Sequence, residues 1–358
     1  MTPCLLVWPE RIDANIAHMI ERAGSPARLR PHCKTHKMDQ VVRRLVAAGI
    51  DHHKAATVVE IELLCQSGAA DVVLAGNPVG PTLSQLQRVM KTHPQIQFAV
   101  TADAEGPIRQ LSEECDQTGT SAGIVLDLDV GQHRTGVDPD SGDALALYAL
   151  IHELPHIHPA GLHIYDGHQH QSDIGERTTA VRQSWRPVYS LIERLNSSNL
   201  PVPEILCGGT PTFPVYAEFD DSRIRLSPGT CTLHDVGYGG NYSDLVFDVA
   251  AAIATRVVSS SVPGQLTLDA GTKSIASDPP LERRVYLPDL PDAQTLLHNE
   301  EHLTVRSDHA GRFEPGDLLL AFPGHICPTV ALHEFAQVIE GEAITAQWPV
   351  ARHRHLKD

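Results

Sequence analysis

The stretch Leu29-Arg30-Pro31-His32-Cys33-Lys34-Thr35-His36-Lys37 decides how the rest of the chain is interpreted. It ends an apolar run and precedes a segment with helical periodicity, so Lys34 is predicted at the carboxyl end of a first strand. In an alternating β/α chain, a lysine at this place is a candidate for an imine with an aldehyde cofactor. A surface lysine between two elements is the alternative, and the remaining sequence decides between the two.

Short apolar runs alternate with amphipathic segments from Arg28 to about Leu226. Eight of these runs are predicted strands, at residues 28–33, 51–55, 71–75, 97–100, 124–129, 159–164, 204–207 and 223–226. Eight strands with helical crossovers favour an α/β fold of the (β/α)8 barrel type. A doubly wound open sheet is the alternative, but no glycine-rich dinucleotide turn follows the first strand.

The pattern changes after Asp235 to short strands separated by turns such as Pro263-Gly264 and Pro315-Gly316. These strands are predicted at residues 247–257, 265–268, 301–305, 317–322 and 335–339. We therefore predict two domains: a barrel over residues 13–235 and a mostly-β domain over 236–358. Residues 1–12 are expected to join the second domain as an extra strand.

Composition excludes some functions and favours others. The 358 residues carry a net charge of −16, which argues against a nucleic-acid partner or an anionic membrane surface. No apolar run approaches the roughly 20 residues that cross a bilayer, and no basic region precedes the short apolar stretch at the N-terminus. Seven cysteines at irregular spacing do not suggest a disulfide framework, so reduced thiols and a cytoplasmic location are expected.

The carboxyl ends of the predicted strands are where a barrel of this type places its working residues. The fifth strand leads to Arg134, and the sixth leads to Tyr165. The seventh and eighth lead to the turns Gly208-Gly209-Thr210 and Gly229-Thr230. Backbone N–H groups in such turns can approach a phosphate closely, so the two turns together can hold a phosphorylated aldehyde whose carbonyl reaches Lys34.

At this point the motif Arg30-Pro31-His32-Cys33-Lys34-Thr35-His36-Lys37 resembles the pyridoxal-phosphate lysine motif of the D-threonine aldolase and D-serine dehydratase family. That family has the barrel-plus-β-domain fold of alanine racemase. The resemblance implies that Lys34 binds pyridoxal 5'-phosphate covalently, that Arg134 faces its phenolic oxygen and that Tyr165 lies nearby. It implies phosphate contacts from Gly208, Gly209, Thr210, Gly229 and Thr230.

The stretch Pro323-Gly324-His325-Ile326-Cys327-Pro328-Thr329 resembles the metal-binding signature of the same family. Residues i and i+2 of an extended chain point to one face, so His325 and Cys327 can converge on one divalent ion. Imidazole plus thiolate favours zinc. Manganese is the alternative, because aldolases of the family often have an aspartate at the position of Cys327, which suits a harder ion.

Three further places were considered. Asp269, in Leu268-Asp269-Ala270-Gly271-Thr272-Lys273, resembles a family loop beside the active site, or it forms an Asx turn before glycine. His302 is similar to a family position, or it lies at the edge of a strand. The tail His353-Arg354-His355 is predicted to be a solvated terminus without a role.

The resulting prediction is a metal-assisted, pyridoxal-phosphate-dependent lyase that acts on D-3-hydroxy amino acids. Retro-aldol cleavage to glycine and an aldehyde is the first choice. The alternative is dehydration to ammonia and a 2-oxo acid, because Cys327 is typical of dehydratases whereas the stretch from Tyr165 to His168 does not resemble theirs. The related fold also suggests a homodimer.

Two other functions were weighed. An amino-acid racemase would use a tyrosine as second acid–base group, for which Tyr238, Tyr242 and Tyr286 are available, but it has no use for a His/Cys pair. A non-catalytic pyridoxal-phosphate carrier resembles the barrel but lacks a second domain.

Overall fold

The computed structural model describes residues 1–353, and residues 354–358 of the predicted tail lie outside the described residues. The chain forms two compact units. The β unit contains residues 1–18, 35–41 and 230–352, and the barrel unit contains residues 19–34, 42–229 and 353. The predicted domain limits stay a prediction. Within the described part of the chain, no helix is both long enough and apolar enough to cross a membrane.

The described α-helices, in chain order, are α1 Pro9–Ala23, α2 Asp39–Ala47, α3 Val58–Gln66, α4 Pro81–Thr92, α5 Glu105–Thr118, α6 Gly142–Glu153, α7 Ile174–Ser197, α8 Phe213–Ala217, α9 Val236–Asn241 and α10 Ile326–Val330. Short 3-10 helices lie at Pro26–Arg28, Thr230–Thr232, Leu281–Arg283 and Ala310–Arg312.

The described strands are β1 Cys4–Val7, β2 His52–Ala55, β3 Asp71–Leu74, β4 Gln97–Ala102, β5 Ala122–Leu128, β6 Ile157–Ile164, β7 Ile205–Cys207, β8 Ile224–Leu226, β9 Ala251–Ser259, β10 Gln265–Leu268, β11 Val285–Tyr286, β12 Gln294–His298, β13 Leu303–Arg306, β14 Leu318–Pro323, β15 Phe335–Glu340 and β16 Ala343–Pro349.

The barrel unit is built on a parallel sheet in the order β2-β3-β4-β5-β6-β7-β8. Seven of the eight predicted barrel strands are therefore regular strands, and the α/β barrel fold is confirmed. The predicted first strand, 28–33, is wrong as a regular strand. It makes only single bridges, Leu29 with Leu226 on β8 and His32 with Lys54 on β2. Pro31 has no N–H to donate, which interrupts a regular ladder, yet these bridges still close the ring.

The interior of the barrel has an apolar layer and a charged layer. Val73, Ala99, Val125 and Leu206 pack together as the apolar layer. Asp127 lies two residues beyond Val125 on β5, so its side chain points to the same interior face. It is paired in register with His163 on β6. The sequence pattern therefore changes from apolar to charged as each strand approaches its carboxyl end.

The β unit contains an antiparallel and parallel sheet in the order β12-β13-β10-β9-β1-β15-β16, and β14 pairs with β9 and β11. The predicted extra strand is confirmed, because β1 pairs antiparallel with β9 and parallel with β15. Leu6 and Trp8 pack there against Ala252 and Ala254. Strands β11, β12 and β16 were not predicted, since their residues are mostly exposed or half-buried and show little apolar alternation.

Candidate active site

Three of the predicted site residues meet at one aromatic ring in the barrel unit. The Lys34 Nζ lies 5.9 Å from the centroid of the Tyr165 ring, and the Arg134 guanidinium carbon lies 4.9 Å from it. Tyr165 follows β6 directly, whereas Arg134 comes from the loop after β5. Both cations lie within the range of an attractive cation–π contact. The arrangement presents a primary amine and a guanidinium on one flat surface.

The loop after β5 is shaped by Asp129. Its carboxylate accepts hydrogen bonds from the Gly131 and His133 backbone N–H groups at 2.9 and 3.0 Å and contacts the His133 ring at 2.8 Å. Although burial raises the pKa of Asp129, these hydrogen bonds lower it further, so the carboxylate is ionised at neutral pH. His133 has a positive φ of 53°, which the turn enforces and which carries the chain on to Arg134.

The two glycine-rich turns also lie where the sequence predicts. The Gly229 N–H donates to Thr210 Oγ1 at 3.3 Å, so the turns after β7 and β8 are hydrogen-bonded to each other. Gly208 has a φ of 78°, which an L side chain rarely adopts. A Cβ on Gly209 would lie 3.3 Å from the Tyr165 ring, so this turn is next to the same ring as Lys34.

Beneath these residues a lysine is buried in the barrel interior. Lys54 Nζ lies 3.1 Å from His163 Nε2, and His163 Nδ1 lies 2.6 Å from Asp127 Oδ1. Burial and then the charge of Lys34 lower the pKa of Lys54 to about 7. Burial also lowers the pKa of His163, whereas the hydrogen bond from His163 outweighs burial at Asp127 and lowers its pKa. The site thus has a second amine that titrates near neutral pH.

In the β unit, His325 and Cys327 are brought together. Burial opposes protonation of His325, but hydrogen bonds with Cys327 and Asp278 raise its pKa to about 9. Two hydroxyls surround the thiol, with Thr35 Oγ1 at 3.1 Å and Thr230 Oγ1 at 3.4 Å from Sγ. Thr230 was predicted to bind phosphate, and the described contact of its hydroxyl is with this sulfur.

The reasoning that led to this pair needs one correction. The extended chain predicted at residues 325–327 is wrong, because His325 is the extended residue before α10 and Cys327 lies in the first turn of that helix. The turn is fixed by Asp235, whose carboxylate accepts hydrogen bonds from the Ile326 and Tyr238 N–H groups at 3.0 and 2.8 Å. Burial raises the pKa of Asp235 to about 6. A strand-to-helix turn therefore brings the two side chains together.

Asp278 was missed by the sequence reasoning. It contacts His325 Nδ1 from 47 residues away, in an irregular segment that carries no motif. A carboxylate that holds a histidine ring in this way orients the other ring nitrogen towards a metal. The donor set of imidazole, thiolate and nearby carboxylate fits a borderline-soft divalent ion such as zinc.

A second group of metal-ligating side chains lies in the barrel unit. His32, Cys33 and Glu60 are buried, with potential ligand atoms within 4.8 Å of one another. Protein donors already use these atoms: Glu60 Oε2 accepts from the Ala56 N–H at 2.6 Å and from the Cys33 thiol at 3.6 Å, and His32 Nδ1 accepts from the Lys34 N–H at 3.3 Å. These contacts fix the backbone that precedes Lys34.

Asp269 and His302 have structural surroundings. Asp269 Oδ1 accepts hydrogen bonds from the Thr255 hydroxyl at 2.7 Å and from the Arg256 N–H at 2.8 Å, and Oδ2 accepts from Thr2. These contacts join the ends of β9 and β10 to the N-terminus. His302 is exposed, and its carbonyl accepts from the Asn299 N–H at 2.9 Å.

The barrel-unit residues fit pyridoxal phosphate, which the sequence resemblance implies. They provide an amine at Lys34, a guanidinium at Arg134, an aromatic face at Tyr165 and N–H donors in two glycine-rich turns. In addition, the Ser227 hydroxyl at the end of β8 is buried and has no hydrogen-bond partner within the described residues. Such an orphaned hydroxyl in an anion-binding turn is consistent with a missing polar ligand. Ser227 was not among the predicted site residues, and only its place in the turn could have indicated it.

Comparison with known proteins agrees with this site. The family model "Alanine racemase, N-terminal domain" matches residues 7–230, and the model "Putative serine dehydratase domain" matches residues 250–339. A D-threonine aldolase of an Arthrobacter species is 30% identical over 98% of this chain and 92% of its own length. A D-serine dehydratase of Dictyostelium discoideum is 21% identical over 95% of this chain and 94% of its own length.

The solved structure of D-threonine aldolase from Filomicrobium marinum superimposes with a TM-score of 0.91 at 26% identity, covering 98% of this chain and 96% of that one. The likeness therefore includes both units. The chain belongs to the alanine racemase-like family of pyridoxal-phosphate enzymes and, within it, to the group of lyases related to D-threonine aldolase and D-serine dehydratase.

Proposed function

We propose that this protein is a metal-dependent lyase that cleaves D-3-hydroxy amino acids of the D-threonine type into glycine and an aldehyde. The observation that carries the proposal is the pair of sites: Lys34 and Arg134 on the Tyr165 ring in the barrel unit, and His325 with Cys327 in the β unit. The overall reaction breaks the Cα–Cβ bond, removes the proton of the β-hydroxyl and adds a proton at Cα.

In this proposal, Lys34 is the residue that holds pyridoxal phosphate and later handles a proton at its Nζ. The cofactor, when bound, supplies an electron-withdrawing ring that accepts the electron pair of the broken bond. Arg134 provides a positive charge beside that ring, and Tyr165 provides the surface on which both cations lie. Gly208, Gly209, Thr210, Gly229 and Thr230 are the proposed phosphate ligands.

His325 and Cys327 are the proposed metal ligands, and Asp278 orients the histidine. A divalent ion held there supplies a Lewis acid for the β-hydroxyl of the substrate. Two or three protein ligands leave coordination positions open for substrate or water. The thiolate supports zinc over manganese, since soft ligands select zinc.

Aldol cleavage is preferred over dehydration because the relative of higher identity, at 30%, is an aldolase, and the dehydratase is 21% identical. Dehydration to ammonia and a 2-oxo acid is the second candidate, and Cys327 is the observation that favours it. A racemase does not use the His325–Cys327 pair, and a carrier protein does not use the β unit. A homodimer without nucleic-acid or membrane partners and a cytoplasmic location stay predictions.

The assignment of Lys34 is tested by visible absorbance of the protein loaded with pyridoxal phosphate. Lys34→Ala should lose the absorbance of the covalently bound cofactor. Lys37→Ala is the matched control and should keep it, because the described contact of Lys37 is through its carbonyl, which accepts from the Ala351 N–H at 2.8 Å. The reverse pattern would show that the wrong lysine was chosen.

The metal assignment is tested by zinc titration of the metal-free protein. His325→Ala and Cys327→Ala should each weaken zinc binding by tenfold or more and leave the cofactor absorbance unchanged. Cys4→Ala removes a thiol that is likewise half-buried in the β unit, and it should bind zinc as the unaltered protein does. Equal zinc affinity in all three variants would refute the metal site.

A further inference from the structure

A buried carboxylate connects the end of β6 to the glycine-rich turn after β7. Asp166 is only 1% exposed and follows Tyr165. Its Oδ1 accepts a hydrogen bond from the Thr212 hydroxyl at 2.7 Å, and its Oδ2 accepts one from the Tyr216 hydroxyl at 2.9 Å. Both carboxylate oxygens are therefore held by residues that follow β7.

The Thr212 hydroxyl passes this interaction on to the turn. While it donates to Asp166, it accepts a hydrogen bond from the Gly209 N–H at 3.0 Å. The Gly209 carbonyl in turn accepts from the Thr212 and Phe213 N–H groups at 3.2 and 2.9 Å. The peptide groups on both sides of Gly209 are thus oriented by Thr212, and Thr212 is oriented by Asp166.

The burial of Asp166 is costly for folding. No cation pairs with it among the described residues, and its partners are two neutral hydroxyls. Burial raises the pKa of Asp166, and the hydrogen bonds from Thr212 and Tyr216 only partly oppose this. A carboxylate that is buried without a cation destabilises the folded state, so a functional reason for it is expected.

We propose that Asp166 is a positioning residue: through Thr212 it orients the Gly208-Gly209 turn to bind the phosphate of the cofactor. This inference rests on the proposed function, in which that turn is a phosphate ligand. Asp166 itself does not contact the phosphate. Because Asp166 follows Tyr165 in sequence, it also ties the turn to the ring on which Lys34 and Arg134 lie.

The experiment compares two probes on the apo-protein by absorbance or equilibrium dialysis: pyridoxal phosphate and pyridoxal, which lacks the phosphate. Thr212→Val keeps the size of the side chain and removes the hydroxyl. It should weaken pyridoxal-phosphate binding about tenfold and leave pyridoxal binding within twofold. A general structural defect would instead weaken both ligands equally, and that result, or no change in either, would overturn the proposal.

Asp166→Ala should give the same selective loss, and the Asp166→Ala/Thr212→Val double variant should be no weaker than the weaker single variant, because both substitutions remove one pathway. Asp166→Asn should largely restore the affinity, since its carbonyl can still accept from Thr212. Additive losses in the double variant would mean that Asp166 does not act through Thr212. If Asp166→Ala does not fold, Thr212→Val alone decides.

Tyr216→Phe is the matched control, because it removes the other hydrogen bond to Asp166 but leaves the path through Thr212. It should bind pyridoxal phosphate within twofold of the unaltered protein, and a tenfold selective loss would contradict the proposed path. If the unaltered protein itself does not prefer pyridoxal phosphate to pyridoxal, the phosphate-binding function fails rather than the role of Asp166.

Discussion

Replacement of Lys54 by methionine should stabilise the apo-protein near neutral pH. The folded protein lowers the pKa of Lys54 from its ordinary value of 10.5 to about 7. At 1.36 kcal/mol for each pKa unit, this corresponds to a penalty of about 5 kcal/mol that is fully present below pH 7. Loss of the hydrogen bond with His163 offsets about 1–3 kcal/mol of the gain. The expected net effect of Lys54→Met at pH 6.5 is therefore a stabilisation of about 2–4 kcal/mol.

The pH dependence gives an independent sign. Between pH 7 and 10.5 the unfolded chain keeps the Lys54 proton that the folded protein has lost, so stability rises with pH. Guanidinium unfolding followed by circular dichroism at pH 6.5 and 9.5 should show this rise in the unaltered protein and a smaller one in Lys54→Met. Lys273→Met is the control, because Lys273 is exposed and pairs with Glu300 and Glu301 at the surface. A less stable Lys54→Met with an unchanged pH slope would refute the reasoning.

Two substitutions at the other end of the barrel should destabilise it, measured by the same unfolding experiment. Arg30→Met breaks a buried ion pair with Asp71 and Glu204 and should cost about 3–5 kcal/mol, so a cost below 1 kcal/mol would contradict this role. Gly161→Ala should cost about 3 kcal/mol or more, because φ is 141° and the new Cβ would lie 2.1 Å from the Glu204 carbonyl oxygen. Wild-type stability in this variant would show that the β6 backbone can move aside.

Much of the fold follows from the sequence because apolar runs and turn residues repeat with a clear period. The segment before Lys34 shows the limit of that approach. Its apolar and β-branched pattern is that of a strand, but Pro31 lacks the N–H that a regular ladder needs. Strands β12 and β16 were missed for the opposite reason, since exposed strands at a sheet edge bury no alternating face.

The site was predictable where function uses contiguous motifs. Lys34, Arg134 and Tyr165 each end a strand, so parallel topology brings them to one end of the barrel. The His325–Cys327 pair was found by its motif, although a turn rather than an extended chain brings the two side chains together.

Contacts across the barrel were not predictable. The pairing of Lys54 on β2 with His163 on β6 depends on the stagger of the strands, which the sequence pattern does not encode. Asp278 reaches His325 from an irregular segment, so neither periodicity nor spacing indicates it. Asp166 precedes a glycine, as an ordinary turn residue would, and only the position of Thr212 reveals its role.

Product analysis by NMR with D-threonine, pyridoxal phosphate and zinc or manganese tests the central claim most directly. The account predicts glycine and acetaldehyde, formed in equal amounts and lost in Lys34→Ala. Ammonia and 2-oxobutanoate would contradict aldol cleavage and assign dehydration to the site that contains Cys327.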